Sequence, residues 1–63
     1  MKNKIKSYRN INNLTQATLA SLVGVRRETI LYLEQNKYVP SLKLAHNIAK
    51  IMKTTIENIF IFK

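Results

Sequence analysis

The sequence has no cysteine and no tryptophan, a single glycine (Gly24), a single proline (Pro40) and three acidic residues in 63 positions. Each scarcity removes a class of explanation. Without cysteine there is neither a disulfide framework nor a thiolate zinc site. The one histidine, His46, would need carboxylates to hold a metal, and Glu28, Glu34 and Glu57 are all the chain offers. No metal site and no cofactor are therefore expected. There is no nucleophile–base constellation and no glycine-rich phosphate loop, so an enzyme is not expected either. The longest unbroken apolar run is Ile59-Phe60-Ile61-Phe62, far short of the ~20 residues that cross a bilayer. The basic start, MKNKIK, leads into SYRNINN and not into an apolar signal-peptide core. The expectation is a soluble cytoplasmic chain with no membrane partner and no evident small-molecule ligand. A lack of cysteine fits that reducing compartment.

What is abundant is positive charge. Eleven Lys and Arg face three acids, a formal net charge of +8. Such an excess attracts polyanions without specifying a fold. A chain this short makes one domain, residues 1–63, and small domains often lean on a second subunit.

Helical spacing recurs along the sequence, and strand-like alternation does not persist. Ile5, Tyr8 and Ile11 suit a short first helix, which Asn12-Asn13 ends. Thr15 is a good N-cap for a second helix, Gln16 to Leu22, with Leu19, Ala20 and Leu22 as its apolar members. Gly24 follows directly, where a positive φ is commonly required. A third helix runs from about Arg26 to Gln35, and Asn36 supplies a left-handed stop. Ser41 caps a fourth helix whose inner stripe is Leu42, Ala45, Ile48, Ala49 and Met52. Thr55 caps a last short helix, Ile56 to Phe60. The fold expected is all-α, a compact bundle of five helices, with no sheet beyond a short strand at the C-terminus.

Residues 16–35 carry a more specific pattern. Gln16, Ala20 and Gly24 are spaced by four, and Ile30 and Leu33 follow in the next helix. Two helices crossing at ~90–120° over a tight turn leave no room for a large side chain where they approach. Ala20 suits that point, and Gly24 lets the chain turn. Leu19, Val25, Ile30 and Leu33 can fill the angle. The stretch LTQATLASLVGVRRETILYLEQNKYVPSLKLAHNIAKIMKTTIENIF, residues 14–60, resembles the Cro/repressor-type (XRE) helix-turn-helix family, and Ile5, Tyr8 and Arg9 extend the match to nearly the whole chain. The resemblance implies a lambda-repressor-like bundle and a transcriptional regulator, a repressor, that places helix 3 in the major groove of double-stranded DNA. It also implies a structural ion pair between Arg9 and Glu34. Helical geometry agrees for Glu34, which lies about 40° from Ile30, on the inner side.

With Ile30 and Leu33 facing the core, Glu28, Leu31, Tyr32 and Gln35 point roughly the other way. Arg27 flanks that face at the helix N-terminal end. The resemblance places DNA contacts at Arg27, Glu28 and Tyr32. Arg27 can donate two hydrogen bonds to guanine O6 and N7, and Glu28 can accept from cytosine N4. Tyr32 can pack on a thymine methyl or bond a phosphate, and Leu31 can meet a methyl or a neighbouring helix. The plainer alternative for Glu28 is an intrahelical pair with no base contact. Gln16 matches a family position that bonds phosphate, and Arg26, Lys37 and Lys43 are the best cationic candidates for the same task. Lys2, Lys4 and Lys6 read as a solvated face. Arg26 stands where the family usually has a capping Ser or Thr, and Lys53 where Gly or Asn is frequent.

Short relatives of this kind pair as homodimers on palindromic operators. Ile59, Phe60, Ile61 and Phe62 form an unusually apolar chain end, which suggests an isologous interface there; the alternative is that all four belong to the monomer core. A cationic membrane-active peptide is a second class of function, disfavoured because Gly24, Pro40 and the caps break the chain into a bundle. A protein-interaction module such as an antitoxin, with secondary DNA binding, is a third.

Overall fold

The computed structural model describes residues 2–61. Its order is β1 (Lys2–Asn3), α1 (Ile5–Ile11), α2 (Gln16–Val23), α3 (Arg27–Glu34), α4 (Leu42–Ile51), α5 (Ile56–Ile59) and β2 (Phe60–Ile61). The five-helix expectation holds, with boundaries one residue inside those read from the sequence at both ends of α3.

Polar caps set where most helices begin. The hydroxyls of Thr15, Ser41 and Thr55 accept hydrogen bonds from the amides of Thr18, Leu44 and Asn58, at 3.0, 3.1 and 3.3 Å. Each hydroxyl satisfies one of the donors that a helix start leaves without a partner. Helix α3 is different. Arg26 holds the extended backbone of an N-cap, φ −77° and ψ 153°, but its side chain makes no capping bond.

The four longer helices end alike. Asn13, Gly24, Asn36 and Lys53 all have positive φ, at 57°, 75°, 60° and 58°. The amide that follows each one reaches back five residues. Leu14 bonds the Arg9 carbonyl, Val25 that of Ala20, Lys37 that of Tyr32 and Thr54 that of Ala49, at 2.9–3.0 Å. This is the Schellman closure, which satisfies carbonyls orphaned at a helix end. Three of the four positions carry residues that tolerate the left-handed region. Lys53 does not, and it adopts the conformation nonetheless.

The core gathers Ile5, Leu19, Ala20, Ile30, Leu33, Leu44, Ala45, Ile48, Ala49, Met52, Ile59 and Phe60. Helix α2 packs on both α3 and α4. Three apolar residues assigned inward by spacing lie outside this core: Ile11, Leu22 and Leu42 are 73%, 54% and 78% exposed. Leu22 and Leu42 sit ~200° around the helix axis from Ala20 and Leu44, which are buried. Ile11 is about 120° from Ile5 and ends α1. The inner stripe of α4 is instead Leu44, Ala45, Ile48 and Ala49.

The C-terminal strand has a partner at the N-terminus. Strands β1 and β2 are antiparallel, with Lys2 opposite Ile61 and Asn3 opposite Phe60. The Lys4 amide adds a 2.7 Å bond to the Ile59 carbonyl. This small sheet corrects the expectation of a lone strand. It also changes the reading of the tail. Ile59 and Phe60 are 0% and 1% exposed, so they fill the chain's own core and offer no side-chain surface to a second subunit. Ile61 is half-buried. Phe62 lies outside the described residues.

Candidate nucleic-acid interface

Helix α3 is anchored on one side and open on the other. Ile30 and Leu33 are fully buried against α2 and the rest of the core. On the opposite side Arg27, Glu28, Tyr32 and Gln35 are exposed, while Leu31 is half-buried. Two turns of helix therefore stand proud of the domain with their polar side chains outward. Among the described residues Glu28 has neither an ion pair nor a side-chain hydrogen bond, so the intrahelical pairing considered for it is not formed.

The helix is also held from below by a polar cluster. Arg9 Nε donates to Glu34 Oε2 at 2.8 Å, and Arg9 Nη2 lies 3.4 Å from Glu34 Oε1. The two side chains are only 12% and 8% exposed, so the pair sits largely outside solvent screening. Arg9 Nη1 donates to the Leu14 carbonyl at 2.9 Å, tying the α1–α2 turn to the same point. The pair therefore joins the first helix to the last turn of α3.

Gln16 is the next member. Its Nε2 donates to Glu34 Oε1 at 3.1 Å, and its Oε1 accepts from Arg27 Nη1 at 3.4 Å. Gln16 is half-buried, which fits this internal engagement. The sequence marked it only as a phosphate ligand, and nothing local in the chain signals its two side-chain partners.

The remaining candidate cations are spread. Arg26 precedes the first turn of α3, Lys37 follows the helix end, and Lys43 lies in the first turn of α4. All three are exposed. One supporting residue was not foreseen. Asn3 Nδ2 donates to the Leu33 carbonyl at 2.6 Å and to Asn36 Oδ1 at 2.9 Å, while its Oδ1 accepts from the Ile5 amide. It clasps the C-terminal end of α3 to β1 across a separation of 30 residues, which no local pattern can report.

A short tight turn, a buried helix–helix angle and an exposed second helix with an arginine pair at its start define a helix-turn-helix domain built to present α3. A helix-turn-helix family model matches residues 5–59. Two archaeal relatives are similar over nearly the full length. One, an uncharacterized HTH-type transcriptional regulator of Archaeoglobus fulgidus, is 56% identical over 98% of this chain and 87% of its own. The other, of the same description, from Methanocaldococcus jannaschii, is 56% identical over 100% and 96%. A control protein of Serratia marcescens is 36% identical over 82% of this chain and 62% of its own. The chain belongs to the helix-turn-helix transcriptional regulators of the Cro/repressor type.

Among solved structures, hydroxypropylphosphonic acid epoxidase from S. wedmorenis is similar, with a TM-score of 0.79 and 29% identity over 86% of this chain. This chain spans 29% of that enzyme's chain, so the likeness concerns one domain of a larger protein. No helix among the described residues is long and apolar enough to cross a membrane.

Proposed function

We propose that this protein is a sequence-specific regulator that binds double-stranded DNA as a homodimer and acts in the cytoplasm as a repressor, by occupying its operator. The observation that carries the reading is the exposed face of α3. Arg27, Glu28 and Tyr32 stand outward on a helix whose inner face is fully committed to the core. A helix of that kind fits the major groove, with its N-terminal residues against base edges.

Arg27 recognises guanine through O6 and N7, and Glu28 accepts from cytosine N4. Because Glu28 has no partner among the described residues, it also repels phosphate and any groove edge offering only acceptors. Arg27 with Glu28 thus trades general affinity for base discrimination. Tyr32 and Leu31 supply apolar contact to a thymine methyl. Arg26, Lys37 and Lys43 contribute phosphate contacts and a salt-dependent share of the affinity.

The dimeric form is supported by size. The longest dimension of the chain is 28 Å. Successive major-groove segments on one face of DNA are ~34 Å apart. One copy therefore covers one groove segment, and two related by a two-fold axis would read a palindrome. The reading requires no catalytic step, cofactor or small-molecule ligand.

Selection from a random DNA library at two salt concentrations tests it. The expected result is a two-fold symmetric motif, bound far more tightly than scrambled DNA at both. Affinity without any enriched site, vanishing as salt rises, would reduce the protein to a charge-driven binder and remove the role given to Glu28.

A further inference from the structure

Leu22 is a large apolar residue that the core does not use. It lies in the last turn of α2 and is 54% exposed. It lines a groove together with Asn47, Lys50, Ile51 and Lys53. Asn47, Lys50 and Ile51 are spaced i, i+3 and i+4 on α4, so they share one face of that helix. Lys53 follows just beyond the helix end. We infer that this groove docks a segment of another protein that presents carboxylates beside an apolar side chain.

Two observations carry the assignment. The first is the lining. Leu22 and half-buried Ile51 give the groove apolar walls, and exposed Lys50 and Lys53 give it charge of one sign. No acidic residue lines it, and among the described residues neither lysine has a side-chain partner. The second is the backbone of Lys53. Its φ of 58° lies in the left-handed region, where Asn and Gly are at ease and a long side chain is not. The other three helix ends closed in this way use Asn13, Gly24 and Asn36. Asn or Gly at 53 would relieve the strain and keep the same closure. The chain instead keeps a cation there, and that cation lines the groove. Strained backbone of this kind gathers at binding sites.

The chemistry selects the occupant. A second copy of this chain matches the groove poorly, because its only side-chain carboxylates are Glu28, Glu34 and Glu57. Glu34 is bound internally to Arg9, and Glu28 stands on the outward face of α3. Nucleic acid also matches poorly. The groove lies toward the C-terminal ends of α2 and α4, where a helix leaves over carbonyls and not the amides that bind phosphate. Leu22 and Ile51 would meet nothing apolar on a phosphate backbone. An acidic segment with an aliphatic or aromatic side chain satisfies both walls and both lysines. None of the lining residues is among the DNA-contact candidates, so such a partner and DNA can be held together.

The experiment is selection from a library of displayed random peptides with the full chain as bait, followed by NMR mapping of the enriched peptides on the protein. Enriched peptides should combine Asp or Glu with Leu, Ile or an aromatic residue. The amide shifts they cause should centre on Leu22, Lys50, Ile51 and Lys53. Leu22→Ser should weaken the best peptide by roughly 3- to 10-fold through lost apolar contact. Lys53→Asn should weaken it by roughly 2- to 5-fold, the upper range of an exposed ion pair. Asn tolerates the positive φ, so Lys53→Asn should melt no lower than the wild type, which separates lost binding from lost fold. Duplex DNA binding should persist in both variants.

Three results would overturn the inference. One is the absence of acidic–apolar peptides from the selected pool. Another is a set of shifts centred on Arg26, Arg27 and Lys43, which would mean that peptides follow charge alone. The third is a response of the groove amides to duplex DNA, with loss of duplex binding in Lys53→Asn, which would make the groove a phosphate surface. The DNA-reading proposal stands or falls separately, on its own selection.

Discussion

Replacing Arg9 by methionine tests whether the polar cluster holds the fold together. The substitution keeps much of the aliphatic stem and removes the charge. Glu34, whose side chain is 8% exposed, would be left with Gln16 as its one hydrogen-bond partner among the described residues. A buried charge deprived of its counterpart destabilises a protein by about 3–5 kcal/mol. A domain of this size has only ~3–9 kcal/mol in total, at typical stability per residue. The lower figure would shift the melting temperature by roughly 12–24 °C. Far-UV circular dichroism with urea and with heat measures both quantities. The companion is Arg9→Met with Glu34→Leu. It removes both charges, so only the Leu14 carbonyl and the Gln16 amide lose partners, at a cost of ~1–2 kcal/mol. The double variant should therefore be more stable than Arg9→Met alone. Two results refute the reasoning: a single-variant loss below ~1 kcal/mol, as for a surface pair, or a double-variant loss equal to the sum of the singles.

Four further outcomes follow from the same geometry. Gly24→Ala should cost about 1–2 kcal/mol through backbone strain alone, since φ is +75° and nothing lies within 4 Å of the added Cβ; chemical denaturation measures it. Lys53→Gly should raise stability by roughly 0.5–1 kcal/mol, because φ at that helix end is 58° and glycine adopts it freely, and thermal melts will show the sign. Arg26→Ser should stabilise α3 by about 1 kcal/mol by supplying the missing cap while lowering the salt dependence of DNA binding by about one unit of slope, two opposed effects read by melting and by titration at several salts. Arg27→Ala should cost about 1–3 kcal/mol on the preferred site and relax specificity at one position, leaving scrambled DNA nearly unaffected, as competition binding will measure.

The legible part of this fold is its punctuation. Thr15, Ser41 and Thr55 announce helix starts, and Asn13, Gly24 and Asn36 announce stops, because the side chain or its absence does the work locally. The outward face of α3 was legible for a related reason. Once Ile30 and Leu33 are placed inside, a rigid helix determines where Glu28 and Tyr32 must point. Spacing fails where the helices run out. Ile11 ends α1 with little to pack on, while Leu22 and Leu42 fall on the solvent side of α2 and α4, so all three are exposed. A two-residue strand has no period at all, and the pairing of Lys2–Asn3 with Phe60–Ile61 could not be seen.

The tail shows why local apolarity is a poor guide to interfaces in a chain this small. Ile59 and Phe60 look surplus when read beside their neighbours in sequence. A 63-residue domain has few large side chains, however, and its core must recruit them from both ends of the chain. The sheet brings the termini together, Phe60 closes the core, and Asn3 on the opposite strand reaches the end of α3. Packing at the chain ends thereby supports the C-terminal turn of α3, while Glu34 and Gln16 connect its first and last turns from within. What sequence spacing could not supply is this second tier of long-range contacts. It also ties Arg27, in the first turn of α3, to Glu34 in the last, so the place of Arg27 was legible before the contacts that hold it.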